Sequence, residues 1–240
     1  MKKRIVVWIG AAAIAFAVMC LGGCVFFMQN DVPPASLTSG PDSVIPGGGG
    51  EITASNTAEY EFTPDRSGIW LFRMTVTNDS FSNLEIINSE GGFVANKDGR
   101  LGDYHSFIAE HLDAGRTYTI NAVKQTYAAG TPGDYTLSVS LAEEIPGGGG
   151  EVYVDEITVY TFTPDRSGEW TFRTYDNGDC DPSLVVYEPD GGLSVYDNDG
   201  AGDRNALLTE RLEEGTMYLV NVYMKLYEQG SYTLSVEFSG

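Results

Sequence analysis

The chain has 240 residues and carries 34 acidic against 14 basic side chains, a net charge of −20. That balance argues against nucleic acid as a partner, because phosphate binding needs a basic face; it favours solubility and draws in cations instead. Three cysteines, Cys20, Cys24 and Cys180, are too few and too scattered for a disulfide framework.

The N-terminus opens with the basic run Met1-Lys-Lys-Arg4 and continues into an apolar segment from Ile5 to Met19, the pattern of an export signal. It ends in Leu21-Gly22-Gly23-Cys24, which resembles the lipobox of bacterial lipoproteins. The resemblance implies cleavage after residue 23 and acylation of the Cys24 thiol. The residues after the cysteine, Val25 to Met28, stay apolar where lipoproteins turn polar. Ile5 to Met28 is therefore also long enough to span a bilayer uncut. The two readings, a signal peptide over 1–23 or a membrane anchor to about residue 28, agree on an exported protein held at the outer face of the bacterial cell membrane. Residues 24–44 are rich in Pro and Ser and lack apolar periodicity, as expected of a tether. From residue 24 onward 11 bases face 34 acids, so the exported part is more acidic than the whole, at −23.

The rest of the chain is written twice. Ile45-Pro-Gly-Gly-Gly-Gly-Glu51 returns unchanged as Ile145 to Glu151. The stretch Phe62-Thr-Pro-Asp-Arg-Ser-Gly68, with Trp70, Phe72 and Arg73, returns one hundred residues later. A period this long marks a duplicated domain, not a solenoid unit, and the boundaries fall at 45–143 and 144–240. The tetraglycine is not a phosphate cradle, since Glu51 and Glu151 follow it in place of a lysine. It reads as an interdomain hinge and a lead-in to a strand.

Within each repeat the apolar spacing is two, and turn residues recur about every ten positions. Strands are predicted at 60–62, 70–72, 84–86, 118–123 and 135–139, with counterparts at 160–162, 170–172, 184–187, 218–222 and 232–236. Residues 107–112 and 207–212 show a helix-like pattern but lie between strands, and they read as strands too. Pro64 to Gly68 has the composition of a hairpin turn. The predicted class is all-β: two tandem antiparallel β-sandwiches of jelly-roll type.

Several of these residues form a wider pattern. An aromatic-x-Phe-x-Pro-x-x-Ser-Gly-x-aromatic-x-Phe opening leads to Asp181-Pro-Ser-Leu184, Asp190-Gly191, Asp197-Asn-Asp199, Glu214-Gly-Thr-Met-Tyr218 and Gly230-Ser-Tyr-Thr-Leu234. This resembles the bacterial pre-peptidase C-terminal domain, a β-sandwich found after the catalytic domains of secreted peptidases. Repeat 1 departs from it, with Phe81-Ser82 in place of Asp181-Pro182 and Lys97 inside the acidic loop. The resemblance implies binding or stabilising work without chemistry of its own.

Catalytic candidates are few. His105 and His111 are the only histidines, and repeat 2 has Asn205 and Arg211 in their places. No Gly-x-Ser-x-Gly elbow occurs, and Cys180 has no histidine in its own repeat. Arg66 and Arg166 read as solvated turn positions. The richest cluster is Asp197, Asn198, Asp199 and Asp203 with Asp181 from a neighbouring turn, a set of oxygens suited to calcium. An ordinary Asp/Asn/Gly turn held by its own side chains is the competing account. The sequence thus points to a non-catalytic binding or scaffolding protein, with the membrane as one partner and a protein or glycan as the other. The alternatives are a carbohydrate-binding module using Tyr104, Tyr127, Tyr196 and Tyr227, and, more distantly, a hydrolase.

Overall fold

The computed structural model describes residues 43–77, 80–98, 105–126, 134–224 and 230–240. The expected export signal, Cys24 and the expected tether up to residue 42 lie outside these residues, as do Tyr104, Tyr127 and Tyr227; the last two tether positions, Ser43 and Val44, belong instead to the first strand, which pairs within repeat 1. Every regular element described is a strand. Repeat 1 holds β1 (Ser43–Ile45), β2 (Gly50–Ala54), β3 (Ala58–Phe62), β4 (Gly68–Val76), β5 (Ser80–Asn88), β6 (Phe93–Asp98), β7 (Ser106–Leu112), β8 (Tyr118–Thr126) and β9 (Tyr135–Leu141). Repeat 2 holds β10 (Glu144–Ile145), β11 (Gly150–Val154), β12 (Thr158–Phe162), β13 (Gly168–Tyr175), β14 (Pro182–Tyr187), β15 (Ser194–Asp197), β16 (Leu207–Leu212), β17 (Tyr218–Met224) and β18 (Tyr232–Phe238). The two helix-like stretches are β7 and β16, strands as expected.

Each repeat is a sandwich of a five-stranded and a four-stranded sheet. In repeat 1 the orders are β1-β3-β8-β5-β6 and β2-β9-β4-β7; in repeat 2 they are β10-β12-β17-β14-β15 and β11-β18-β13-β16. Pairing is antiparallel except at β1–β3 and β10–β12, which are parallel. The chain changes sheet at every connection within a repeat save β5 to β6 and β14 to β15. Alternation follows from this layout: one side of each strand faces the space between the sheets and the other faces away. Phe62, Trp70 and Phe72 meet there edge to face, with ring centroids 4.9 and 5.8 Å apart. Phe162, Trp170 and Phe172 repeat the arrangement at 5.0 and 5.8 Å. All six are fully buried, and truncating such a side chain costs about 3–5 kcal/mol.

Two sequence expectations change here. Pro64 to Gly68 is not a hairpin turn, because β3 belongs to the five-stranded sheet and β4 to the four-stranded one. The turn carries the chain across the sandwich edge, and the indole N–H of Trp70 donates to the Arg66 carbonyl (3.2 Å) to close it. Nor is the tetraglycine an interdomain hinge. It lies inside each repeat and joins β1 to β2, or β10 to β11, again crossing between sheets; the lead-in to a strand is as expected. Gly49 N–H donates to the Pro46 carbonyl (2.8 Å), and the Asp65 N–H donates to the Gly47 carbonyl (2.9 Å). The link between repeats is only Ala142-Glu143, directly between β9 and β10.

Besides the two sandwich cores, a third apolar cluster joins the repeats. Ile69 and Leu71 of β4, Ala142 of the link, Val159 of β12 and Leu219 of β17 are buried together, with Phe107, Ala109, Tyr187 and Met217 packed around them. The outer face of the four-stranded sheet of repeat 1 therefore rests on the outer face of the five-stranded sheet of repeat 2.

Candidate functional site

At the edge of this joint Arg73 reaches from β4 into repeat 2. Its guanidinium pairs with Glu156 and donates to the Ile157 carbonyl, and it lies 5.6 Å from the centre of the Phe107 ring. A planar fork that meets a carboxylate and a carbonyl at once, over an aromatic face, holds two bodies at a fixed angle as a lysine would not. Beside it opens a cleft of about 270 Å³. Repeat 1 and the link contribute Arg73, Phe107, Ser138, Ser140 and Glu143; repeat 2 contributes Tyr153, Asp155, Glu156, Thr158 and Tyr160. Tyr153 stands 67% exposed, an aromatic face open to a ligand. Burial first, then the carboxylates of Glu143, Asp155 and Glu156, push the Tyr160 hydroxyl up to about 12. That side chain packs in the core of repeat 2, so its hydroxyl is a buried neutral group behind the cleft wall. Hydroxyls, carboxylates and an aromatic surface suit hydrogen-bonded recognition. No histidine or cysteine is among the described residues lining the cleft.

The sequence reading missed this site because its residues lie on the outward faces of the strands. A usable signal was present. The β4 segment reads Ile69-Trp70-Leu71-Phe72, apolar on both faces, where β13 alternates as Glu169-Trp170-Thr171-Phe172. Likewise Thr53-Ala-Ser-Asn56, the end of β2 and the bend after it, has Tyr153-Val-Asp-Glu156 as its counterpart in repeat 2, where it meets the cleft.

The acidic loop behaves otherwise. Asp197 ends β15, and its Oδ2 accepts from the N–H of Gly200 (2.7 Å) and of Leu207 (2.8 Å). Asn198 accepts from the Ser183 hydroxyl (2.7 Å) through Oδ1 and donates to Asp199 Oδ2 (2.7 Å) through Nδ2. Asp203 adopts φ +51° and is exposed; its carbonyl accepts from the Nδ2 of buried Asn177 (3.0 Å), which also donates to the Cys180 carbonyl (2.8 Å). Asp181 is half-buried immediately before β14. Asn177, which the sequence reading did not single out, thus joins the two acidic turns, but through backbone carbonyls. Among the described residues no three His, Cys, Asp or Glu side chains gather in a way that would hold a metal. Asp197 acts as a turn cap, so Asp197→Ala is expected to lower the stability of repeat 2 by about 1–3 kcal/mol. The loss should be equal in calcium and in chelator. A calcium-induced rise in melting temperature that the variant abolishes would instead make the loop a cation site.

The remaining candidates stay apart from the cleft. His105 Nδ1 accepts from the Val76 N–H (3.2 Å), and His111 is exposed on β7. Arg66 and Arg166 pair with Asp65 (3.0 Å) and Asp165 (2.8 Å) on exposed turns, as expected of solvated positions. Tyr196 is 56% exposed on β15.

No family model matches the chain, and no curated protein matches it. Among solved structures it is similar to the CUB1-EGF-CUB2 domain of human MASP-1/3, at 8% identity over 80% of this chain and 100% of that one, with a TM-score of 0.29. It is also similar to the N-terminal CBM22-1-CBM22-2 tandem domain of Paenibacillus barcinonensis Xyn10C, at 8% identity over 80% and 86%, with a TM-score of 0.21. Likenesses at this level carry no functional argument.

Proposed function

We propose that the chain is a non-catalytic binding or scaffolding protein, anchored to the outer face of the membrane, that takes its ligand in the cleft between its two sandwiches. One observation carries this reading. From the end of β2 into the turn to β3, Thr53, Ser55 and Asn56 have Tyr153, Asp155 and Glu156 as their counterparts in repeat 2, and the cleft is lined by those three. Glu156 holds Arg73, but Tyr153 and Asp155 are not needed for the joint. The resemblance to pre-peptidase C-terminal domains supports accessory work of the same kind.

The test is binding by the full chain to a glycan array and to immobilised peptides from bacterial envelope proteins. Tyr153→Ala with Asp155→Ala should weaken whatever is captured by about tenfold or more. Capture that the double variant leaves unchanged would move the site elsewhere. Turnover in a screen of chromogenic esters and glycosides would overturn the non-catalytic reading. A glycan as the captured ligand would make the protein a carbohydrate-binding module with Tyr153 as its stacking platform.

The anchor is tested separately. Mass spectrometry of the membrane-extracted protein is expected to show a chain beginning at Cys24 with lipid on that residue. An intact Met1 would establish the uncleaved anchor.

A further inference from the structure

The duplication lets each outer face be compared with its own twin, and the two faces that meet at the joint have diverged in opposite directions. On the four-stranded sheet, repeat 1 presents Ile69, Leu71, Phe107 and Ala109, while repeat 2 presents Glu169, Thr171, Leu207 and Thr209 at the same places in its register. On the five-stranded sheet the change runs the other way. Repeat 2 presents Val159, Val185 and Leu219, with Met217 at the edge; repeat 1 has Glu59, Glu85, Thr119 and Thr117. Positions that point into the sandwiches did not diverge in this way: Phe62, Trp70, Phe72, Leu84 and Tyr118 are identical to Phe162, Trp170, Phe172, Leu184 and Tyr218.

A contact between unlike faces of similar units is heterologous, and such contacts extend into open chains unless the two end faces are altered. Here the central strands of both end faces are polar, and the exposed apolar side chains, Val44 and Phe93 on repeat 1 and Tyr153 and Leu207 on repeat 2, stand on edge strands. On repeat 2 the Thr171 hydroxyl is already hydrogen-bonded to those of Thr209 (3.0 Å) and Ser239 (2.6 Å). Arg173 and Arg211 share that face with Glu169. On repeat 1 Glu85 accepts from the side-chain amide of Asn121 (2.8 Å), beside Glu59 and Glu61. Closing these two faces on each other would strip water from carboxylates on both sides, with no apolar partners along the central strands to offset it.

We infer that the joint between the sandwiches is a directional interaction surface used once per chain. The β4–β7 face takes a domain of its own kind that presents an apolar β12–β17 face, and the polar twins at both ends keep a second copy of the chain from adding head to tail. The cleft beside Arg73 then forms once per molecule, which makes the protein a rigid, monovalent unit whatever its ligand.

The test uses the full chain in detergent, followed by sedimentation velocity. A variant carrying Glu59→Val, Glu85→Val and Thr119→Leu together with Glu169→Ile, Thr171→Leu and Thr209→Ala makes both end faces resemble the joint. It should form a ladder of oligomers that lengthens with concentration, while the wild type sediments as one species under the same conditions. A variant that keeps the wild-type circular dichroism but sediments as a single species would overturn the inference, as would a ladder from the wild type. A second arm covers the case in which the sixfold variant does not fold. Leu71→Asp in the otherwise native chain places a carboxylate in the joint and should open the Ala142-Glu143-Glu144 link to a glutamate-specific protease. Cleavage there should be about tenfold faster or more, because proteolysis follows the open population. A rate equal to that of the wild type would show that the apolar joint does not hold the repeats, and the inference would fall.

Discussion

Gly149→Ala is expected to destabilise the second sandwich by about 3 kcal/mol or more, lowering its melting temperature by upwards of about 12 °C. Two costs add. Gly149 sits at φ +88°, a backbone region that side chains with a Cβ rarely adopt. A Cβ built there would also lie 2.2 Å from the carbonyl oxygen of Val236 and 3.1 Å from its carbon. Val236 belongs to β18, where it pairs with both Gly150 and Phe172, so relieving the clash means moving a ladder strand. Gly49→Ala should do the same to repeat 1, since its Cβ would meet the Val139 oxygen at 2.3 Å with φ at +87°. The neighbouring Gly48→Ala and Gly148→Ala serve as controls: their Cβ atoms would make an ordinary 3.5 Å contact with Asp65 or Asp165, and each should change stability by less than about 0.5 kcal/mol. Thermal melts followed by circular dichroism distinguish these outcomes. An unchanged melt for Gly149→Ala would return the tetraglycine to the status of a flexible hinge.

That loop shows where the sequence was legible and where it was not. Strand alternation needs only a buried side and a solvated side, so Tyr60-Glu-Phe62, Tyr135-Thr-Leu137 and their twins declared β3, β9, β12 and β18 directly. The same rule placed β7 and β16 as strands against a helix-like spacing. Which sheet a strand joins is a tertiary fact, however, and a turn such as Pro64 to Gly68 has the same composition whether it closes a hairpin or crosses the sandwich. Four glycines in a row look flexible in a sequence; two of them, Gly47 and Gly49, are instead demanded by backbone atoms about 2.8 and 2.3 Å from the Cβ they lack. The acidic loop needed the structure for a related reason. Counting carboxylates ignores which oxygens the chain's own N–H groups occupy, and Asp197 already caps Gly200 and Leu207. The joint, by contrast, was readable from the repeat itself, as apolar residues on the outward positions of one copy and polar residues on those of the other.

The second large effect is expected at the clamp, and the duplication supplies its control. Arg73 and Arg173 occupy the same place in β4 and β13, pair with Ser138 and Ser235 in register, and follow the same Trp-x-Phe. Only Arg73 has the other repeat in front of it. Its side chain is 20% exposed, whereas Arg173 faces solvent. Arg73→Ala removes a charge-assisted bond to the Ile157 carbonyl, the pair with Glu156 and the contact over Phe107. The exposed Glu156 carboxylate recovers water, so the ion pair itself contributes at most about 1 kcal/mol. The bond to the carbonyl and the lost packing contribute more, and the total should be about 2–3 kcal/mol. Arg173→Ala should stay within about 0.5 kcal/mol. Arg73→Lys keeps the charge but cannot reach Glu156 and the carbonyl in one plane, and it should recover less than half of the loss. Because the clamp closes one wall of the cleft, Arg73→Ala should also weaken ligand capture, while Arg173→Ala leaves it intact. Equal effects at the two arginines, in melting and in capture, would mean that the repeats are not held by this contact and that the cleft has no fixed shape for a ligand to recognise.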